Sequence, residues 1–343
     1  MVAGGTGHNR EGGAQGPVGR LRGRSILSDT DLSASEIEDL LDTAVMLKDL
    51  RRRGVRHTWL RGKTLGLIFQ HPSTRTRLAF QAGMDQLGGR AVFLGVNDLQ
   101  LRRGETVRDT AAITSRYVDA LAVRVARHAD LLEVAAGATV PVFNGLTEFD
   151  HPLEALSDIL TLRERFARLR GLRFAYLGDG NNVCHSLLLA GATVGMHLTV
   201  AAPGAYQPDA GVVATAHELA THSGAHITLT TDARSAAAGA DAVYTDVHES
   251  MGQDENAAKL RALAPYRVTK EVMALAKPSA VFMHCLPMHR GQEVEAEVAD
   301  GPQSIIFEQA ENRLHLHKAV LLQVLRDGAE WLGTADAPNA SVA

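Results

Sequence analysis

The stretch KTLGLIFQHPSTRTRLAFQAGMDQLG, Lys63 to Gly88, decides how the rest of the chain is read. Its first part, KTLGLIF, is a short apolar run of the kind that fills a strand buried on both faces. The second part turns polar and then takes on helical spacing. Ser73, Thr74 and Thr76 stand where the first turn of that helix belongs. Such a turn has free backbone N–H groups and a partial positive charge, so phosphate binds well there. Arg75 and Arg77 add planar forks that match phosphate oxygens. A plainer alternative makes Ser73 only an N-cap and leaves both arginines in solvent. The doubled S-T-R-T-R directly after a strand favours phosphate.

Outward from this point, strand-like and helix-like segments alternate. RAVFLG, DALAVR and VPVFNG follow, with helical stretches beginning near Ser73, Thr106 and Ala129. Upstream, Ser33-Ala-Ser-Glu36 has the pattern of a capping box, and Ile37, Leu40, Leu41, Ala44, Leu47 and Leu50 share one helical face. Downstream of HPLEALSDILTLRERFARL come LRFAYLGDG, HLTVAAP, HITLTTD, DAVYTD, AVFMHCLP and SIIFEQ, all read as strands, with a helix over about 182–194 between the first two. The pattern is βαβ throughout, which implies an α/β protein with two doubly wound, Rossmann-like parallel sheets. The expected division is a flexible tail over 1–25, a first domain over 26–150, a linking helix over 151–168, a second domain over 169–310, a helix over 311–328 returning to the first domain, and a tail over 329–343. In open parallel sheets, ligands sit beyond the carboxyl ends of the strands. Six polar clusters fall at such ends: HPSTRTR, Arg124, His151, GDGNN, Asp246 and Cys285-Leu286-Pro287.

Composition narrows the class. The 343 residues suffice for two domains, and 45% apolar with 22% charged residues is the balance of a soluble globular protein. A formal net charge of −4 argues against non-specific nucleic-acid binding. No apolar run has membrane-spanning length, so neither a membrane nor a nucleic-acid partner is expected. Two cysteines, Cys184 and Cys285, have no disulfide or metal spacing, which points to a reducing, cytoplasmic setting. His284, His289, His315 and His317 are read as structural, for want of acidic or cysteine partners, and no metal or cofactor is expected.

STRTR resembles the carbamoyl-phosphate loop of the aspartate and ornithine carbamoyltransferases. NDLQLRRGETVRDTA, SRYVDALAVR, HPLEALSD, GDGNNVCHSLLLAGA, DVHESMGQ, MHCLPMHRG and FEQAENRLHLHKAV are similar to segments of the ornithine branch and occur in its order. The likeness spans about residues 28–328. It implies transfer of the carbamoyl group of carbamoyl phosphate to the side-chain amine of L-ornithine, giving citrulline, as in arginine biosynthesis. It further implies that Ser73, Thr74, Arg75 and Thr76 hold the phosphate. Arg124 and His151, with Thr76, point at the carbonyl oxygen. Arg313 and Glu154 reach the donor, and Gln100 reaches in from a neighbouring subunit of a homotrimer. Asn182, Asp246, Ser250 and Met251 hold the α-amino and α-carboxylate groups of the acceptor, and Cys285 and the Leu286 carbonyl lie by the reacting amine. The S-M-G loop sets the chain apart from the knotted acetylornithine- and succinylornithine-type relatives, so an unknotted chain is expected.

The chain also departs from the pattern. Glu154 stands where the family has Gln. A carboxylate only accepts hydrogen bonds, and it repels phosphate. At ~6 Å and an effective dielectric of ~20, each unit charge pair costs roughly 2–3 kcal/mol. Protonation of Glu154, a compensating cation, or changed donor handling resolves this. His248 replaces a usual Trp, Glu249 an apolar residue, Met288 a smaller Ala, and His71 a usual Lys. These changes leave open a different diamino acid acceptor, such as 2,3-diaminopropionate, 2,4-diaminobutyrate or lysine. A non-catalytic paralogue is a further alternative. A dehydrogenase ranks last, since no G-x-G-x-x-G follows a strand.

Overall fold

The computed structural model describes residues 20–95, 97–248 and 256–326. Its first half runs α1 (Ala34–Arg52), β1 (Thr64–Phe69), α2 (Thr74–Gln86), β2 (Arg90–Gly95), α3 (Val107–Thr114), β3 (Ala120–Arg124), α4 (His128–Gly137), β4 (Val142–Leu146) and α5 (Pro152–Phe166). The second half runs β5 (Arg173–Leu177), α6 (Asn182–Thr193), β6 (His197–Ala201), α7 (Ala210–Ser223), β7 (His226–Thr230), α8 (Ala233–Ala237), β8 (Ala242–Tyr244), α9 (Ala257–Leu263), α10 (Lys270–Met273), β9 (Val281–Met283), α11 (Ala296–Ala299) and α12 (Ile306–Leu325).

The strands form two sheets, both wholly parallel in their described pairs. One has the order β2-β1-β3-β4 and the other β7-β6-β5-β8-β9. The first strand of each half lies inside its sheet and the chain winds outward to both sides, so each sheet has a switch point where a crevice opens. β1 is almost wholly buried, as its apolar run requires. The Ser33–Glu36 capping box forms, and Ile37, Leu40, Leu41, Ala44 and Leu47 are buried while Leu50 is half-buried. α12 leaves the second half and packs against α1, α2 and α5.

Three boundaries differ from the sequence reading. Residues 20–25, read as tail, are packed: Leu21 is buried, and the Gly23 amide donates to the Val324 carbonyl. SIIFEQ is not a strand. Ser304 makes one isolated bridge to Phe282, and α12 begins at Ile306, five residues before the expected start at 311. A short apolar run looks the same as strand or as buried helix, and here the buried positions continue with helical spacing to Leu325. Among the described residues, no helix is long and apolar enough to cross a membrane.

Candidate active site

The polar clusters do stand at strand C-termini. Ser73 is the N-cap of α2, yet its side chain makes no capping hydrogen bond, so its hydroxyl and the first N–H groups of the helix remain open. Thr74 is exposed and Thr76 is buried. Arg77, by contrast, is turned away: its guanidinium lies 3.6 Å from the centroid of the Phe93 ring, and its Nε donates to Gln81 Oε1. The second arginine of the motif is therefore committed to a cation–π contact.

Thr76, Arg124, His151, Glu154 and Arg313 come from α2, β3, the β4–α5 junction, α5 and α12, and all are at most 5% exposed. Arg313 Nη2 donates to Thr76 Oγ1 at 2.6 Å, and its Nη1 lies 2.9 Å from Glu154 Oε2. The same carboxylate oxygen is 3.1 Å from His151 Nε2. His151 is the N-cap of α5 with Pro152 at N1, and its side chain has no capping duty. Its backbone N–H donates to Ser186 Oγ at 2.8 Å. Arg75 reaches across the cleft and donates to the carbonyl of Leu286, a residue held at φ +60°. Buried without hydrogen-bond partners are Arg75 Nε, Arg124 Nε, Arg313 Nε, His151 Nδ1 and Glu154 Oε1. Three of these atoms are guanidinium donors, one is a carboxylate acceptor and one is an imidazole nitrogen.

The electrostatics follow from this crowding. Burial, then Arg313, lowers Arg124 to about 10, and burial and Arg313 lower Arg75 as well. Burial lowers His151 to about 4, against the opposing pull of Glu154. Burial would raise Glu154, but Arg313, His151 and Arg75 outweigh it and leave the carboxyl at about 2. Arg313 is thus a compensating cation for the buried Glu154 carboxylate.

Across the cleft, Asp246 Oδ1 accepts from the Cys285 thiol at 3.0 Å and from the Val247 N–H at 2.8 Å. Burial, then Asp246, pushes the Cys285 thiol well up, so it is present as the neutral S–H. Asn182 is not the residue that meets Asp246. Its Nδ2 donates to the Thr147 carbonyl at 2.6 Å, whereas Asn181 Nδ2 donates to Asp246 Oδ2 at 2.7 Å and Asn181 Oδ1 caps α6. The N-cap preference of Asn at the start of α6 was the available signal for Asn181. Met288 packs against the core of the second sheet. His248 is buried and lowered to about 4 by burial. Gln100 is exposed on a 3-10 turn, Gln100–Arg103. Glu249, Ser250 and Met251 lie outside the described residues.

One expectation about the histidines is overturned. His284 does have acidic and cysteine neighbours: ligand atoms of Asp246, His284 and Cys285 lie within 4.8 Å of one another. His284 Nδ1 accepts from the Leu286 N–H at 2.9 Å and the thiol donates to Asp246, while His284 Nε2 is buried without a hydrogen-bond partner. His284 also faces Glu293, with His284 Nε2 at 3.3 Å from Glu293 Oε1.

Two family models match this arrangement. Residues 24–164 match the carbamoyl-P binding domain of aspartate/ornithine carbamoyltransferase, and residues 170–324 match its Asp/Orn binding domain. The chain belongs to the aspartate/ornithine carbamoyltransferase family. A protein of Symbiobacterium thermophilum named ornithine carbamoyltransferase is 50% identical over 306 residues, covering 89% of this chain and 99% of that protein. One of Pyrococcus furiosus named ornithine carbamoyltransferase, anabolic, is 48% identical, covering 89% and 97%. Among solved structures, ornithine carbamoyltransferase from Pyrococcus furiosus superposes with a TM-score of 0.87 at 48% identity, covering 89% of this chain and 98% of that one. That from Thermus thermophilus gives 0.77 at 41%, covering 88% and 99%. A carbamoyl-P binding domain thus precedes an Asp/Orn binding domain along the chain.

Proposed function

We propose that the protein transfers the carbamoyl group of carbamoyl phosphate to the side-chain amine of L-ornithine, giving citrulline and phosphate, in the cytoplasm and in the direction of arginine biosynthesis. The observation that carries this reading is the set of unpartnered buried groups on Arg75, Arg124, His151, Glu154 and Arg313, gathered at one cleft. In this reading Ser73, Thr74, Arg75 and Thr76 bind the phosphate at the α2 N-terminus. Arg124 and Thr76 stabilise the oxyanion that forms as the amine attacks the carbonyl carbon. Arg313 fixes Thr76 and Glu154 and offers its Nε to the donor. Asp246, with Asn182, Ser250 and Met251, holds the α-amino acid end of the acceptor. Cys285 and the Leu286 carbonyl border the reacting amine. The amine titrates near ~10.4 in water and must lose a proton to react. The departing phosphate dianion is a base at hand.

Arg75 must leave the Leu286 carbonyl for the phosphate, which ties donor binding to exposure of that carbonyl. In this reading Gln100 enters the cleft of a neighbouring subunit in a homotrimer. Leu78 on α2 and Val92 on the edge strand β2 are 57% and 47% exposed, as an interface there would require.

The test is phosphate release from carbamoyl phosphate by the purified protein with L-ornithine, L-lysine, 2,4-diaminobutyrate, 2,3-diaminopropionate and putrescine, with each ureido product confirmed by mass. Turnover with L-ornithine at least about tenfold above every other acceptor is expected, a gap of about 1.4 kcal/mol. A preference for a shorter diamino acid would overturn the acceptor assignment.

A further inference from the structure

The turn after β9 carries Cys285 and the Leu286 carbonyl, and it needs holding. Leu286 stands at φ +60°, where a residue with a Cβ stays only if its surroundings fix it. Within the turn, His284 Nδ1 accepts from the Leu286 N–H at 2.9 Å. From outside, the His284 N–H donates to Gln309 Oε1 at 2.9 Å. Gln309 lies on α12 and is 1% exposed. A backbone N–H only donates, so the amide oxygen faces the turn and Nε2 faces away from it. Nε2 donates to Asp158 Oδ1 on α5 at 2.7 Å, and Asp158 Oδ2 accepts from the Tyr244 hydroxyl on β8 at 3.0 Å. Asp158 and Tyr244 are fully buried. Arg313 and Glu154 sit one helical turn away on the same faces of α12 and α5, and they pair at 2.9 Å. The two helices therefore meet in two rungs. One ends at Thr76 and Glu154, the other at the Cys285–Leu286 turn.

We propose that Gln309 is a positioning residue for carbamoyl transfer, holding the His284 N–H so that the Cys285 thiol and the Leu286 carbonyl keep a fixed place relative to α5. An amide suits this task, because it accepts from the turn and donates to Asp158 at once. Thr76 and Glu154, on the neighbouring rung, are held by Arg313 and do not depend on it. The part in catalysis rests on the carbamoyl-transfer reading, whereas the support of the turn does not.

Hydrogen–deuterium exchange and steady-state kinetics on the intact protein and its Gln309→Met variant test this together. The substitution keeps the length of the side chain and removes both polar ends. The amides of residues 284–286 should exchange at least about tenfold faster in the variant, the worth of one hydrogen bond, while those of β1 and α2 keep their protection. With L-ornithine, kcat should fall at least about tenfold, and the KM for carbamoyl phosphate should stay within about twofold. Unchanged exchange at 284–286, or an unchanged kcat in an active enzyme, overturns the proposal. So does a fall in kcat matched by lost protection in α2 or a rising donor KM, since Gln309 would then be a general support of the fold. If the natural protein is inert toward ornithine, the acceptor assignment falls, and exchange alone decides the support of the turn. Where Gln309→Met does not fold, Gln309→Glu takes its place. Its carboxyl still accepts from the His284 N–H, and burial already favours a proton on Asp158 to bridge the two acids. Protection at 284–286 within about threefold of the natural protein is expected, and its loss from a folded variant overturns the proposal.

Discussion

The last helix carries two buried cations five residues apart, and their surroundings are opposite. Arg313 meets a carboxylate and a hydroxyl, Glu154 and Thr76. Lys318 is fully buried and meets neutral partners: Nζ lies 2.6 Å from His57 Nε2 and 3.1 Å from Gln86 Oε1. His57 Nδ1 donates to the Val55 carbonyl, so its Nε2 is the acceptor for Lys318. Burial, then Arg51, lowers Lys318 to about 8. Both residues grip α2, Arg313 near its first turn and Lys318 at its last residue. Gly83 lets them approach, since a Cβ there would stand 3.2 Å from Lys318 Cγ. The same geometric task is done at one end with matched charge and at the other with none. Matched charge is found where an anionic ligand has to enter. A lone cation is tolerated where nothing enters, because its long aliphatic stem fills space between helices.

Three experiments press on this contrast. Arg313→Met should have the largest effect. It takes the direct ion-pair partner from the buried Glu154 carboxylate, and breaking such a pair costs about 3–5 kcal/mol. Urea denaturation measures that loss, and turnover of carbamoyl phosphate should fall with it. A loss below about 1 kcal/mol, within the range of an exposed pair, would erase the distinction between the two ends. Lys318→Met comes next. Replacing a buried cation that has no counterion among the described residues by an apolar chain of similar length should leave stability unchanged or raise it by about 1–2 kcal/mol. Its pH signature has a definite sign. The folded value of about 8 lies below the unfolded ~10.4, so the unfolded chain binds more protons between them. The penalty is full below about 8 and fades as pH rises toward ~10.4. The natural protein should therefore gain on Lys318→Met between pH 7 and pH 9.5. Parallel denaturation curves at both pH values would show that Lys318 has an ionic partner after all. The smallest effect concerns the acceptor side, where charge is shared with a thiol. Cys285 is buried and protonated against Asp246, so iodoacetamide at pH 7.5 should modify it far more slowly than an ordinary thiol of pKa ~8.5. Alkylation at the free-thiol rate would mean that Asp246 does not hold the proton there.

What the sequence disclosed and what it hid have separate physical causes. The two sheets and the placing of polar residues at strand ends were legible, because parallel strands buried on both faces must be continuous apolar runs. The place of Ser73 at the start of α2 was legible from the end of the apolar run before it. Pairings between distant residues were not. Arg313 and Glu154 meet only because α12 returns to lie on α5, and no local pattern announces a partner more than a hundred residues away. Arg77 shows the same limit, since it lies on α2 and its neighbour Phe93 on β2. Asn181 and Asn182 are adjacent and chemically identical, and only the turn into α6 decides which one faces Asp246. The strand reading of SIIFEQ failed because β-branched and aromatic residues in a row do not reveal that the following apolar positions recur at helical spacing.

The return of α12 also has a consequence for how the protein is made. Both sheets are complete by β9, yet Thr76 and Glu154 lack the one guanidinium that contacts both until Arg313 arrives. A chain still leaving the ribosome can form its sheets in order, while the faces of α1, α2 and α5 that α12 will cover stay bare. Catalytic competence is therefore a late event in synthesis. A chain cut short before its final helix would carry every strand and still lack the Arg313 contacts to Thr76 and Glu154.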